Sequence, residues 1–141
     1  MESKNKRNLV LYLVRGISGS GKSTYAKELC GEFVVEADQY FVNENGEYVF
    51  DPLKLKQAHD FCFKKAFDLF SVSEKVAVAN TFTRLSEMKR YLDEAKRRKI
   101  NVEIVEPLTS WRYNVQECAK RNLHGLTEKM IEKQLSRWEV V

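Results

Sequence analysis

Residues Gly16 to Ser23 read Gly-Ile-Ser-Gly-Ser-Gly-Lys-Ser, and Thr24 follows. A glycine, four residues and then Gly-Lys-Ser is a spacing that can hold a phosphate chain. A phosphate must come against bare backbone N–H groups, so side chains at Gly16, Gly19 and Gly21 would obstruct the approach. A helix starting near Lys22 turns the positive end of its dipole toward the same anion. Lys22 can reach the β- and γ-phosphates of ATP, and the Ser23 hydroxyl is a ligand for Mg²⁺. Ser18, Ser20 and Thr24 complete the expected nucleotide-binding set.

Moving a phosphoryl group needs a charge clamp, a metal, an oriented acceptor oxygen and a cation over the migrating group. Asp38 closes an apolar run, Phe33-Val34-Val35-Glu36-Ala37, and is the expected proton acceptor; capping a turn is its alternative role. Arg121, in the basic turn Lys120-Arg121-Asn122, is expected to close over the phosphates as a lid, with Arg84, Arg112 and Arg137 as competing choices. His59 reads as a structural or solvated helical histidine.

The elements that must position these groups alternate. Leu9–Val14 is an apolar run ahead of the glycine-rich loop, and Thr24–Cys30 is helix-compatible after it. Phe33–Ala37 reads as a second strand, with a hairpin turn at Asn45-Gly46 beyond it. Asp51-Pro52 signals a helix start, followed by Leu55, Ala58, Phe61, Cys62, Ala66, Leu69 and Phe70 at helical spacing. Lys75–Asn80 reads as a third strand delivering Asn80-Thr81 to the crevice edge. Ser86-Glu87-Met88-Lys89 opens a helix through a capping box, continuing to about Lys99 with the basic run Lys96–Lys99 at its end. Asn101–Glu106 is a fourth strand halted by Pro107. Ser110 caps a helix through about Asn122, and Thr127 opens the last one. Strands alternating with helices predict a three-layer α/β fold, a mainly parallel sheet of about four strands with helices on both faces and right-handed crossovers. In such sheets ligands sit beyond the carboxyl ends of the strands, where Asp38 and the loop would meet.

The chain has 141 residues, which fits one domain over 1–141. Met1–Arg7 is a polar start expected to be flexible. Cys30, Cys62 and Cys118 are widely spaced and read as reduced interior thiols rather than a disulfide or zinc set. No signal-peptide pattern or long apolar run is present, so a cytoplasmic location without membrane contact is expected. The net charge of +4 is mild, and would help attract a phosphorylated or polyanionic substrate.

With these residues laid out, the chain resembles the polynucleotide-kinase branch of the P-loop kinases over nearly its whole length. The resemblance rests on Gly16 to Thr24, Ala37-Asp38-Gln39-Tyr40-Phe41, Gly46-Glu47-Tyr48-Val49-Phe50 followed by Ala58-His59, Asn80-Thr81, and Lys120-Arg121-Asn122 with His124-Gly125. It implies transfer of the ATP γ-phosphate, with Mg²⁺, to a 5′-hydroxyl end of DNA or RNA, Asp38 serving as general base and Arg121 as a lid arginine. Three positions depart from the family pattern. Ala79 stands where related sequences carry Asp before the Asn-Thr pair, and Phe41 and His124 fall where a relative in that branch has arginines. Two other readings therefore stand beside the first: a kinase for a small hydroxylated metabolite, and a catalytically weak ATP-binding interaction module.

Overall fold

Side chains along β1 (Val10–Arg15) alternate between two interiors, Leu11 and Leu13 facing one and Tyr12 and Val14 the other. In this computed structural model, which describes residues 8–141, β1 lies inside a four-stranded sheet. The start at residues 1–7, expected to be flexible, lies outside the described residues. The other strands are β2 (Val34–Val35), β3 (Lys75–Asn80) and β4 (Asn101–Val105), all parallel in the order β2-β3-β1-β4.

A parallel sheet must have both faces covered, and each face here has its own cluster. Leu11, Leu13, Val35, Val76 and Val78 pack against α2 (Leu55–Asp68) and α3 (Leu85–Arg98) through Ala58, Cys62, Ala66, Phe67, Met88, Tyr91 and Ala95. On the opposite face Val14, Val34, Ala77 and Ala79 meet Ala26 and Cys30 of α1 (Lys22–Cys30). The alanines of β3 let α1 lie close to the sheet. A third cluster joins Ile17 of the glycine-rich loop to Cys118 of α4 (Val115–Arg121) and Ile131 of α5 (Glu128–Ser136). All three cysteines are free and buried. Among the described residues no helix is long and apolar enough to cross a membrane.

Four local expectations are corrected. The second strand is two residues long, because Ala37–Phe41 coils into a 3₁₀ turn in which Asp38 sits. Asp51 does cap a helical turn, accepting from the Leu53 amide at 3.0 Å, but that turn is 3₁₀ and Leu55 beyond it is exposed. The third main helix is entered at Arg84 rather than Ser86, with Glu87 accepting from the Arg84 amide and from the Thr83 hydroxyl. Ser110 caps nothing, since α4 begins only after Asn114, whose side chain accepts from the Glu117 amide at 3.0 Å. The stretch before it stays irregular because its side chains are bonded to the glycine-rich loop.

Candidate active site

The loop between β1 and α1 is held from every side. The Gly16 amide donates to the Thr81 carbonyl at 3.2 Å, tying the loop to the end of β3. Ser18 is gripped twice by Gln134 of α5: its amide donates to Oε1 at 2.9 Å, and Nε2 donates to its hydroxyl at 3.0 Å. Trp111 Nε1 donates to the Gly19 carbonyl at 3.2 Å, and Thr109 Oγ1 to the Ser20 carbonyl at 2.7 Å. Gly19 takes φ +83°, and a Cβ there would stand 2.1 Å from the Cys118 carbonyl oxygen, so no other residue fits without moving α4.

Two of these bonds take up the Gly16 and Ser18 amides, while those from Trp111 and Thr109 fall on carbonyls and leave other loop donors free. Among the described residues nothing accepts from the Gly19 or Gly21 amides, and the Ser20 hydroxyl is buried without a partner. The first N–H groups of α1 have no acceptor within the helix. Buried orphan donors clustered at a helix N-terminus form a ready-made cradle for phosphate. Lys22 lies half-buried beside it. Burial lowers its pKa, opposed first by the charge of Glu36 and then by that of Asp38.

Asp38 lines the same cleft as Ser18 and Lys22, a cavity of about 600 Å³. Its turn is fixed from below by Asn80, which is buried, accepts from the Ala37 amide at 2.9 Å and donates to Cys62 Sγ at 3.5 Å. Asn80 therefore positions the Asp38 turn while itself lining the cleft. The Asp38 carboxylate is held at both oxygens: Tyr48 Oη donates to Oδ1 at 3.2 Å, and His124 Nε2 lies 3.3 Å from Oδ2. Burial and the neighbouring Asp38 raise the Tyr48 pKa, keeping that phenol a donor. Tyr48 and His124 also stack, ring centroids 4.1 Å apart. Asn122 arranges the turn that carries His124, accepting from the His124 and Leu126 amides and donating to the Ala119 and Leu126 carbonyls.

The far wall of the cleft includes Phe82, Tyr91, Arg90 and Arg137. Phe82 has φ +43°, a strained conformation for a residue with a side chain, stabilised by the buried Arg15, which donates to the Phe82 and Thr83 carbonyls. Arg15 in turn lies 3.9 Å from the Trp138 ring.

Arg121 does not line this cleft. Its Nε donates to Glu117 at 2.9 Å, and its guanidinium lies over the Trp111 ring at 3.7 Å, one ring away from the Gly19 carbonyl. Arg84 is exposed at the start of α3, and Arg112 donates to the Thr109 carbonyl. Of the four arginines considered from the sequence, Arg137 is the one that lines the cleft. Ser23 donates to Glu36 Oε1 at 2.9 Å. Glu36 was missed from the sequence, although a carboxylate two residues before Asp38 was the available signal. Tyr48 stood in the sequence only as part of a family-like motif, and Gln134 and Trp111 gave no functional signal there.

The residues that could hold Mg²⁺ fit its preference for hard oxygen ligands: a Ser23 hydroxyl beside the Glu36 carboxylate, next to the phosphate cradle. Among the described residues no three His, Cys, Asp or Glu side chains form a metal cage. Mg²⁺ suits such a site because it keeps several waters and binds chiefly through substrate phosphates and one or two protein oxygens.

A family model described as AAA domain matches residues 11–141. NEDD4-binding protein 2 of Homo sapiens is 34% identical over 136 residues, 93% of this chain; the chain spans only 8% of that protein's length. Among solved structures, the Pnkp1/Rnl/Hen1 RNA repair complex contains a chain that superposes with a TM-score of 0.71 at 16% identity, over 97% of this chain and 46% of that one. A gluconokinase from Sinorhizobium meliloti 1021 superposes with a TM-score of 0.61 at 20% identity, over 96% of this chain and 78% of its own. AvrRxo1-ORF1:-ORF2, solved with ATP, gives a TM-score of 0.59 at 16% identity, over 94% of this chain and 48% of that chain. At these identities the three structures speak for the fold alone, an α/β fold with a parallel sheet.

Proposed function

The chain belongs to the AAA domain family and has a P-loop, kinase-like fold, and from that premise we propose that residues 1–141 form one ATP-dependent phosphotransferase domain. The observation that carries the reading is that Lys22 and Asp38 line one cleft at the open side of the phosphate cradle. A clamp for the donor and a carboxylate for the acceptor thus share one cavity.

In this mechanism the orphan amides of the loop and Lys22 hold the β- and γ-phosphates of ATP. Ser23 would hold Mg²⁺, which when bound would supply positive charge against the phosphates. Asp38 accepts the proton of the incoming hydroxyl as its oxygen bonds to the γ-phosphorus, while the bond from that phosphorus to the β-phosphate oxygen breaks and ADP leaves. Tyr48 and His124 fix the carboxylate so that it meets the hydroxyl without reorganising. Arg121 reaches the phosphates by leaving Glu117, and Arg137 is the arginine already at the cleft.

The acceptor we propose is a 5′-hydroxyl end of DNA or RNA, supported by the joint presence of Asp38, Tyr48, Asn80 and His124 with the loop and by a net charge of +4. Free, buried cysteines support a reducing, cytoplasmic setting. A small hydroxylated metabolite is the second reading, favoured by one observation: the cleft of about 600 Å³ is of the size that encloses a small ligand. Incubation with γ-labelled ATP and Mg²⁺ against 5′-hydroxyl DNA and RNA oligonucleotides, beside a panel of sugars and polyols, separates the two. Label on oligonucleotide ends, lost in Lys22→Ala, is expected. Label on a small alcohol alone transfers the assignment to the second reading, and ATP binding without any labelled acceptor leaves an ATP-binding module.

A further inference from the structure

The third strand, which in P-loop enzymes commonly brings an acid to the metal, brings none here. The Ala79 methyl is buried with Val14, Ala26, Cys30 and Val34 beneath α1, and Asn80 is committed to the Ala37 amide and to Cys62. Two carboxylates nevertheless lie close enough to act on Lys22, Glu36 first and Asp38 second. Asp38 is engaged by Tyr48 and His124. Glu36 is bonded instead to Ser23, the hydroxyl that closes the phosphate-loop motif.

We propose that Glu36 is the acidic partner of the magnesium site, supplying from β2's end the charge that Ala79 cannot supply from β3. The inference rests on the proposed ATP and Mg²⁺ site and goes beyond it in naming the positioning residue. By accepting the Ser23 proton, Glu36 leaves the lone pairs of that oxygen for the metal. Its negative charge, close to Lys22, offsets the positive charge of the incoming ion. A plain structural role predicts something else. A carboxylate near the first turn of α1 would stabilise the helix through its dipole, with no dependence on metal.

The test uses Mn²⁺ as the probe and a non-hydrolysable ATP analogue, so no turnover is needed. Calorimetry gives the analogue's affinity with and without Mn²⁺, and electron paramagnetic resonance counts bound Mn²⁺. For the wild type, affinity rises with Mn²⁺. In Glu36→Gln the metal-dependent gain falls by about 10-fold or more. Metal-free affinity is unchanged or tighter, since a negative charge near the phosphates has gone. Ser23→Ala loses the same gain, and the double variant loses no more than the worse single one, because both act through one ion. A Glu36→Gln protein with the wild-type Mn²⁺ dependence overturns the proposal, even where its melting temperature drops. So does strict additivity of the two substitutions. A wild type that binds no analogue under either condition overturns the nucleotide site itself, a result distinguishable from the others.

Discussion

The two walls of the cleft are built by opposite means. The wall proposed to bind the donor is a contiguous segment, Gly16 to Thr24, held still by its surroundings: Ile17 in a core cluster, Ser18 on Gln134, Gly19 against Cys118 and Trp111, Ser20 on Thr109. The wall proposed to meet the acceptor is assembled from side chains on separate segments, Asp38, Tyr48 and His124. A phosphate chain is the same in every nucleotide, so a fixed backbone can serve it. Acceptors differ, and a wall of side chains on separate turns can change one residue at a time.

Substitutions that treat like residues on the two walls should therefore behave unlike each other. The largest effect is expected from Gly19→Ala, which adds a backbone clash with Cys118 to a left-handed φ. Nucleotide affinity should fall by about 100-fold, on a combined cost of about 3 kcal/mol. Equilibrium binding of a fluorescent ATP analogue reads this directly, and near-wild-type affinity would mean the loop is not rigid. Gln134→Ala comes next, since it frees both polar groups of Ser18. Two lost hydrogen bonds of about 1 kcal/mol each predict roughly a 30-fold weaker ATP affinity with the acceptor KM little changed.

Tyr48→Phe belongs to the other wall. It removes one donor to Asp38, so kcat should drop about 3- to 10-fold while ATP affinity holds. A loss confined to ATP affinity would place Tyr48 with the donor side and blur the distinction. The smallest effect is expected from Gly125→Ala. That glycine also has a positive φ, +74°, but nothing lies within 4 Å of the added methyl. Only backbone strain of about 1 kcal/mol remains, showing as a few-fold change in kcat. If Gly125→Ala harmed nucleotide binding as much as Gly19→Ala, the two turns would have to be one unit.

The same division decided what could be read from the amino-acid order. The glycine-rich loop and its strand and helix are local, and β1, β3 and β4 fell within a residue of expectation because each is an apolar run bounded by clear breakers. The four-strand parallel sheet followed from their alternation with helices. What failed was local structure decided by distant contacts. Ser110 had the chemistry of a helix cap, but Thr109 and Trp111 beside it are taken up by the loop carbonyls, and the helix waits for Asn114. The run ending in Ala37 looked like a full strand, yet Asn80, 43 positions away, bends its end into a turn. Arg121, proposed as the lid arginine, rests outside the cleft on Trp111 and Glu117, so closure over the phosphates requires it to leave both. Glu36 carried a signal in the sequence, two positions before Asp38, but its role shows in the fold, which sets it against Ser23.

The central claim is that the Asp38 carboxylate takes the acceptor's proton across from a separately held ATP. Single-turnover transfer from γ-labelled ATP to a 5′-hydroxyl oligonucleotide, measured for wild type and Asp38→Asn with ATP affinity determined on the same samples, tests it most directly. The account predicts a rate lower by about 10²- to 10⁴-fold in the variant with ATP affinity within a few-fold of wild type. Equal rates in the two proteins, or a loss of transfer that only mirrors a loss of ATP binding, would contradict it.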